Sequence, residues 1–177
     1  PCQYVGTDFS AGLIAEARKD VPEDYPAAFY ALDLTAEDWS SQLPEGEFDL
    51  IFAFAVFHHL PGEPLRRQIC RNIHRRMKAG GNFYLSSWQF LKSDRLQKRI
   101  QPWSAAEIDP DEVDEGDYLL DWRRGGFGLR YVHYYTGEEL KALAAASDFT
   151  VRETFYSDGK EGNLSIYQRW QPISSDH

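Results

Sequence analysis

The stretch Phe48–Phe57, FDLIFAFAVF, is the most apolar run in the chain, and its apolar residues do not alternate with polar ones. A short run of this kind reads as a parallel strand covered on both faces, because a half-exposed strand would alternate with period two. The flanking sequence repeats the theme. Upstream, residues 3–8 read as a strand. Ser10 can cap a helix over about 11–20 whose apolar positions Leu13, Ile14 and Ala17 fall on one side. AAFYALDL (27–34) reads as a second strand ending near Asp33, followed by an acidic, amphipathic segment around 36–42. Downstream, Pro64 suits the first turn of a helix, Leu65, Ile69, Ile73 and Met77 recur every four residues, and Gly80-Gly81 supplies a stop. NFYLSSW (82–88) is the next strand. This alternation predicts an α/β protein with a mostly parallel sheet and helices on both faces.

The second half differs. Residues 89–135 are basic first, then acidic, and rich in aromatics. A connection of that length predicts a lid or a substrate-binding insertion with helices of its own. A helix over 137–147 with Leu140 and Leu143 inward follows. Strands at 149–157 and 163–170 are separated by the turn-forming SDGKEGN, so they should pair antiparallel. One domain over 1–177 is the expected organisation for a chain with one ordinary core.

Composition narrows the function classes. The chain has 177 residues, 42% hydrophobic and 15% aromatic, which argues against disorder. No apolar run approaches the ~18 residues of a membrane span, and nothing resembles a signal peptide. Cys2 and Cys70 make neither a disulfide framework nor a metal knuckle, and a soluble, reduced, cytoplasmic protein is expected. The net charge is −9, yet between Pro61 and Ile100 ten Lys and Arg face only Glu63 and Asp94. Such a chain does not coat nucleic acid with its whole surface, but it can present one basic face.

Asp8 would close the first strand at the carboxyl edge of the sheet, where ligands of open α/β sheets bind. It can accept two ribose hydroxyls, or be an ordinary turn aspartate. Asp33 repeats the geometry and could accept the exocyclic amine of an adenine. The histidines of FAVFHHL are candidate bases, together with His133. Alternatively, one of His58 and His59 packs and the other is solvated. On a strand the two would point to opposite faces and could not share a metal. Arg67, Arg71 and Arg75 form a helical stripe, readable as a phosphate grip or as a solvated outer face that also carries Arg66, Arg76 and Lys78. The acids between Asp109 and Asp117 read as a solvated loop. The aromatics Trp103, Tyr118, Trp122, Tyr131, Tyr134 and Tyr135 could stack on a base or form the insertion's own core.

YVGTDFSAGLIAEAR, ALDL, FDLIFAFAVFHHLP and MKAGGNFYLSSW together resemble the successive motifs of class I S-adenosylmethionine-dependent methyltransferases over residues 4–88. The resemblance implies a Rossmann-like sheet of order 3-2-1-4-5-7-6 with a C-terminal antiparallel hairpin. It implies S-adenosylmethionine as cofactor, with Asp8 and Phe9 at the ribose and Asp33 and Leu34 beside the adenine. Phe54, Ala55 and Val56 would line the methionine end. Ala79 stands where the family usually has proline. GDYLLDW, RYVHYYTGEEL and SDGKEGN are further similar to methyltransferases that esterify a carboxymethyl group on tRNA wobble uridine. In that subgroup Arg130, Tyr131 and His133 would line the substrate pocket, and the basic region 66–99 could meet tRNA. A small-molecule acceptor is the alternative substrate, and a non-catalytic methyltransferase-like binding module the alternative class. The first strand and its glycine-rich loop have no counterpart in the 177 residues, and GGFG (125–128), expected to follow no strand and open no helix, cannot replace them. The expectation is an N-terminally incomplete domain that binds S-adenosylmethionine weakly or not at all, with apolar strand edges at Tyr4-Val5 and Phe52–Phe54.

Overall fold

The computed structural model describes residues 2–123 and 125–173. They form two compact units that divide after Gly46.

The first unit is a βαβ element: β1 (Tyr4–Asp8), α1 (Ala11–Lys19) and β2 (Ala27–Ala31). β1 and β2 pair in parallel from Tyr4↔Ala27 to Asp8↔Ala31. As expected, Ser10 caps α1, its hydroxyl accepting from the Leu13 amide at 3.3 Å. Ile14 turns into the core, but Leu13 stays exposed, because neighbouring helical positions differ by about 100° and this short helix buries only a narrow stripe. Gly6 is required: a Cβ there would lie 2.7 Å from the Phe29 ring that crosses it. β2 ends at Ala31, three residues before the sequence suggests, because Asp33 and Thr35 bend the chain into a turn. A short 3-10 turn, Trp39–Gln42, buries Trp39.

The second unit opens with β3 (Phe48–Phe54), a 3-10 turn at Phe57–His59, α2 (Glu63–Arg75) and β4 (Met77–Trp88). There follow α3 (Asp94–Gln97), β5 (Ile100–Gln101), β6 (Asp117–Trp122), β7 (Gly128–His133), α4 (Gly137–Ala145), β8 (Phe149–Ser157) and β9 (Ser165–Pro172). The main sheet has the order β3-β4-β9-β8, with β3 and β4 parallel and the β8–β9 hairpin antiparallel. This reproduces the second half of the expected strand order. None of the described helices is long and apolar enough to cross a membrane.

Three sequence expectations need correction. Gly80-Gly81 does not stop α2, which ends at Arg75; both glycines lie within β4. Pairing slips between Phe48↔Met77 and Leu50↔Asn82, so the extra residues of β4 loop out. Gly80 supplies the positive φ of 76°, and a Cβ on Gly81 would meet the Lys78 carbonyl at 2.9 Å. Second, β3 is covered on one face only. Ile51, Ala53, Phe83, Leu85, Ile166 and Trp170 share the face packed beneath α2 and α4, whereas Phe52 on the other face is 54% exposed. Third, residues 89–135 are organised by a three-stranded antiparallel sheet, β5-β6-β7, with only short helical turns. Leu120 and Val132 from that sheet cluster with Phe90 and Leu96 into a small core, edged by Tyr118 and Tyr134. GGFG, read as following no strand, joins β6 to β7 and still opens no helix.

Candidate active site

The carboxyl ends of the parallel strands carry most of the residues singled out by the sequence. In the first unit Asp8 ends β1 and accepts the Ser10 amide on Oδ1 at 2.8 Å. Asp33 follows β2, its Oδ1 accepting both the amide and the hydroxyl of Thr35 at 2.8 Å. The Thr35 amide and then its hydroxyl hold the Asp33 carboxyl below the usual carboxylate range. Both aspartates thus shape turns with one oxygen. No hydrogen bond to the second oxygen of either is present among the described residues, which leaves each an acceptor for a ligand. Phe9 projects into solvent, 81% exposed, and Leu34 is half-buried.

In the second unit Phe54 ends β3, and Ala55 takes the left-handed backbone conformation with φ of 56°. That conformation costs an alanine about 1 kcal/mol. Its amide is held by the carbonyl of Ser86 at 3.2 Å and the Ser86 hydroxyl at 3.1 Å, which ties the strained turn to β4. The turn throws Val56 and the two histidines off the strand. They lie on the 3-10 turn with ring centroids 4.2 Å apart, and not on opposite faces of a strand as the sequence suggests.

His58 is fully buried and stacks on Trp88 at 5.5 Å. Its Nδ1 faces the Trp88 amide at 3.4 Å and therefore accepts, which places the ring proton on Nε2, an atom with no partner. Burial, then His59 and Arg130, lowers its pKa to about 3. A ring with its free lone pair turned to a backbone amide and so little basicity cannot serve as a general base near neutrality, so His58 is corrected from that role. His59 is half-buried, its Nδ1 lying 3.2 Å from the Tyr131 carbonyl, and burial above all lowers its pKa as well.

The Arg130, Tyr131 and His133 group is not gathered on one face. β7 alternates, so Tyr131 and His133 point one way and Arg130 the other. The Arg130 guanidinium lies 4.3 Å from the centroid of the Trp122 ring, close enough to His58 and His59 to depress both, and it makes no ion pair among the described residues. Tyr131 and His133 enter a buried polar network instead. Asp117 Oδ1 accepts from the Tyr131 hydroxyl at 2.6 Å and contacts His133 Nδ1 at 2.5 Å. Arg66 donates to the Tyr131 hydroxyl at 2.7 Å and to the Leu60 carbonyl at 2.8 Å. His133 Nε2 meets Glu139 Oε1 at 2.5 Å. Burial, then the hydrogen bond to Asp117, pushes the Tyr131 phenol well above its usual range.

The sequence reading missed Arg66, Asp117 and Glu139. A signal for Arg66 was present: it precedes Ile69, Cys70 and Ile73 by three, four and seven residues, the spacing of the buried stripe. The remaining basic stripe, Arg67, Arg71 and Arg75, is exposed, with Arg67 paired to Glu63 at 2.5 Å.

Residues 1–83 match the protein family described as a methyltransferase domain. A protein of Encephalitozoon cuniculi bearing a provisional methyltransferase name is 32% identical over 152 residues, 85% of this chain. The matched stretch spans only 63% of that relative. Among solved structures, a SAM-dependent methyltransferase from Methanosarcina mazei superposes with a TM-score of 0.68 at 20% identity, over 97% of this chain and 82% of the other. The Burkholderia thailandensis 1,6-didemethyltoxoflavin-N1-methyltransferase, with its substrate and S-adenosylhomocysteine bound, superposes with a TM-score of 0.60 at 15% identity, over 96% of this chain and 61% of its own. The chain therefore shares the fold of these S-adenosylmethionine-dependent methyltransferases, and its first 83 residues match a methyltransferase domain.

Proposed function

We propose that the protein transfers a methyl group from S-adenosylmethionine. The observation that carries this reading is the placement of open acceptors at consecutive strand ends, Asp8 after β1 and Asp33 after β2, in a fold shared with enzymes that use this cofactor. Asp8 would hold the ribose hydroxyls, with Phe9 beside it. Asp33 and Leu34 would flank the adenine, and Phe54, Ala55 and Val56 would line the methionine portion. The bound cofactor supplies an electrophilic methyl group on a sulfonium; the chain's own residues position the acceptor for in-line attack, which accounts for much of the acceleration.

For the acceptor we propose a carboxylate, as on a carboxymethylated wobble uridine of tRNA. A carboxylate is ionised at neutral pH and needs no base, which suits a site whose buried histidine is not basic. Arg130, held over Trp122 without a carboxylate partner among the described residues, would orient it by a charge-assisted pair. The exposed stripe of Arg67, Arg71 and Arg75 would meet the RNA backbone. A small-molecule acceptor is the second reading, favoured by the likeness to the toxoflavin-precursor enzyme.

Calorimetric titration with S-adenosylhomocysteine tests the cofactor assignment. Asp8→Ala should weaken binding at least about tenfold, the worth of a charge-assisted pair of hydrogen bonds. Unchanged affinity would remove Asp8 from the site. For the acceptor, radiolabelled methyl transfer to bulk tRNA should fall about a hundredfold in Arg130→Ala with cofactor affinity intact. Full tRNA methylation by that variant would contradict the carboxylate reading.

A further inference from the structure

A cavity of about 440 Å³ opens in the second unit, between the start of α2, the flank of α4 and the loop preceding β6. Phe54, Ala55 and Val56 do not line it. Its apolar wall is Pro64, the ring of Tyr135, Ala142 and Leu143, and its polar wall is Arg66, His133, Glu139, Asp114 and Glu115.

The balance of free donors and acceptors decides what fits. The Arg66 guanidinium donates through Nε to the Leu60 carbonyl and through Nη2 to Tyr131 and Asp117, and its Nη1 lies 3.5 Å from His133 Nε2. His133 has a carboxylate at 2.5 Å on each ring nitrogen, Asp117 and Glu139, so neither nitrogen is open. Most donors of the wall are therefore spent inside it. The acceptors are not: Glu139 engages through Oε1 only, with its side chain 39% exposed, and Asp114 and Glu115 carry exposed carboxylates at the rim. Glu63, the other acid, is neutralised by Arg67. The start of α2 adds roughly half a positive charge, but Pro64 removes one of its amides and three carboxylates outweigh it. One more group points to a ligand: the Tyr135 hydroxyl is buried, the residue 1% exposed, and it has no hydrogen-bond partner. A buried hydroxyl left unpaired is costly, so a polar group that reaches it from the cavity is stabilised there.

We propose that this cavity binds an organic ammonium ion carrying an apolar or aromatic group. The ammonium sits against Glu139 and the Asp114–Glu115 rim and donates to the Tyr135 hydroxyl, and the apolar stem packs on Pro64, Ala142 and Leu143. Cofactor plays no part in this binding, so it stands or falls separately from the methyl-transfer reading.

The test titrates 2-phenylethylamine and its anionic isostere 3-phenylpropionate into the cofactor-free chain, by calorimetry and by amide chemical-shift changes. The amine is expected to bind, shifting residues of α4 and the 114–117 loop, and the anion to bind at least about tenfold more weakly. Glu139→Gln should weaken the amine about tenfold, and Tyr135→Phe about threefold. Because Glu139 also holds His133, the exposed rim variant Glu115→Gln, expected to cost about threefold, checks the same charge without touching the network. Equal affinity for the anion, no amine binding at about 10 mM, or amine affinity indifferent to both Glu139→Gln and Glu115→Gln would each overturn the assignment.

Discussion

The two faces of the β3-β4-β9-β8 sheet are built from the same strands and share one apolar vocabulary, yet they meet different fates. On one, Phe83, Phe149 and Trp170 lie edge to tilted within 6 Å of one another, all buried, with His74 of α2 against Phe149. On the other, Phe52 stacks on Tyr84, Phe54 meets Tyr167 edge-on, and Tyr167 stacks on Phe155, while Phe52, Phe54 and Phe155 all stay exposed. Aromatic pairing is present on both faces; removal from water is present on one. Since burial supplies most of the stabilisation, at about 25 cal/mol per Å², the two rows should contribute unequally to folding.

Urea denaturation breaks this comparison most directly. Phe83→Ala should cost about 3–5 kcal/mol by emptying a closed site, and Phe52→Ala less than about 1 kcal/mol. Equal losses would mean that the open face is covered in solution. The next effect is on pH. His58 belongs to the covered interior, and its pKa falls from 6.5 in the unfolded chain to about 3 in the fold. The folded state thus binds fewer protons between those values. Stability is full above pH ~6.5 and declines as pH falls toward 3, by about 3 kcal/mol between pH 7 and pH 4. Denaturation midpoints across that range in the wild type and in His58→Gln check it; a slope unchanged by the substitution would assign the acid loss to other groups. The smallest effect belongs to the turn that ends β3. Ala55→Gly relieves a positive φ and should raise stability by up to about 1 kcal/mol, partly offset by the greater freedom of glycine in the unfolded chain. A loss in its place would show that the alanine methyl packs more favourably than its backbone is strained.

Much of the fold was readable. Period and spacing located the strands around Val5, Phe29, Ile51, Phe83 and the final hairpin, because those patterns are local. The strand-end aspartates were readable for the same reason. What failed was long-range. Arg66 looked like one more solvated cation of a basic helix, and Asp117 like one more acid in a charged loop; each is buried because the other, 51 residues away, is brought against it. The insertion reads as a lid or as extra helices, since β5 has only two residues and the GGFG between β6 and β7 reads as following no strand.

The sequence by itself determined the βα alternation, the Ser10 cap, the antiparallel ending and the acidic strand ends, all of which depend on residues within a few positions of one another. The tertiary structure alone decided which face of the sheet is shielded and that Arg130 parts from Tyr131 and His133. It also decided that His133, Arg66 and Asp117 close into one buried network, with the half-exposed Glu139 at its edge beside an open acidic cavity. Those outcomes depend on which surfaces come into contact, and burial, desolvation and charge pairing exist only once they do.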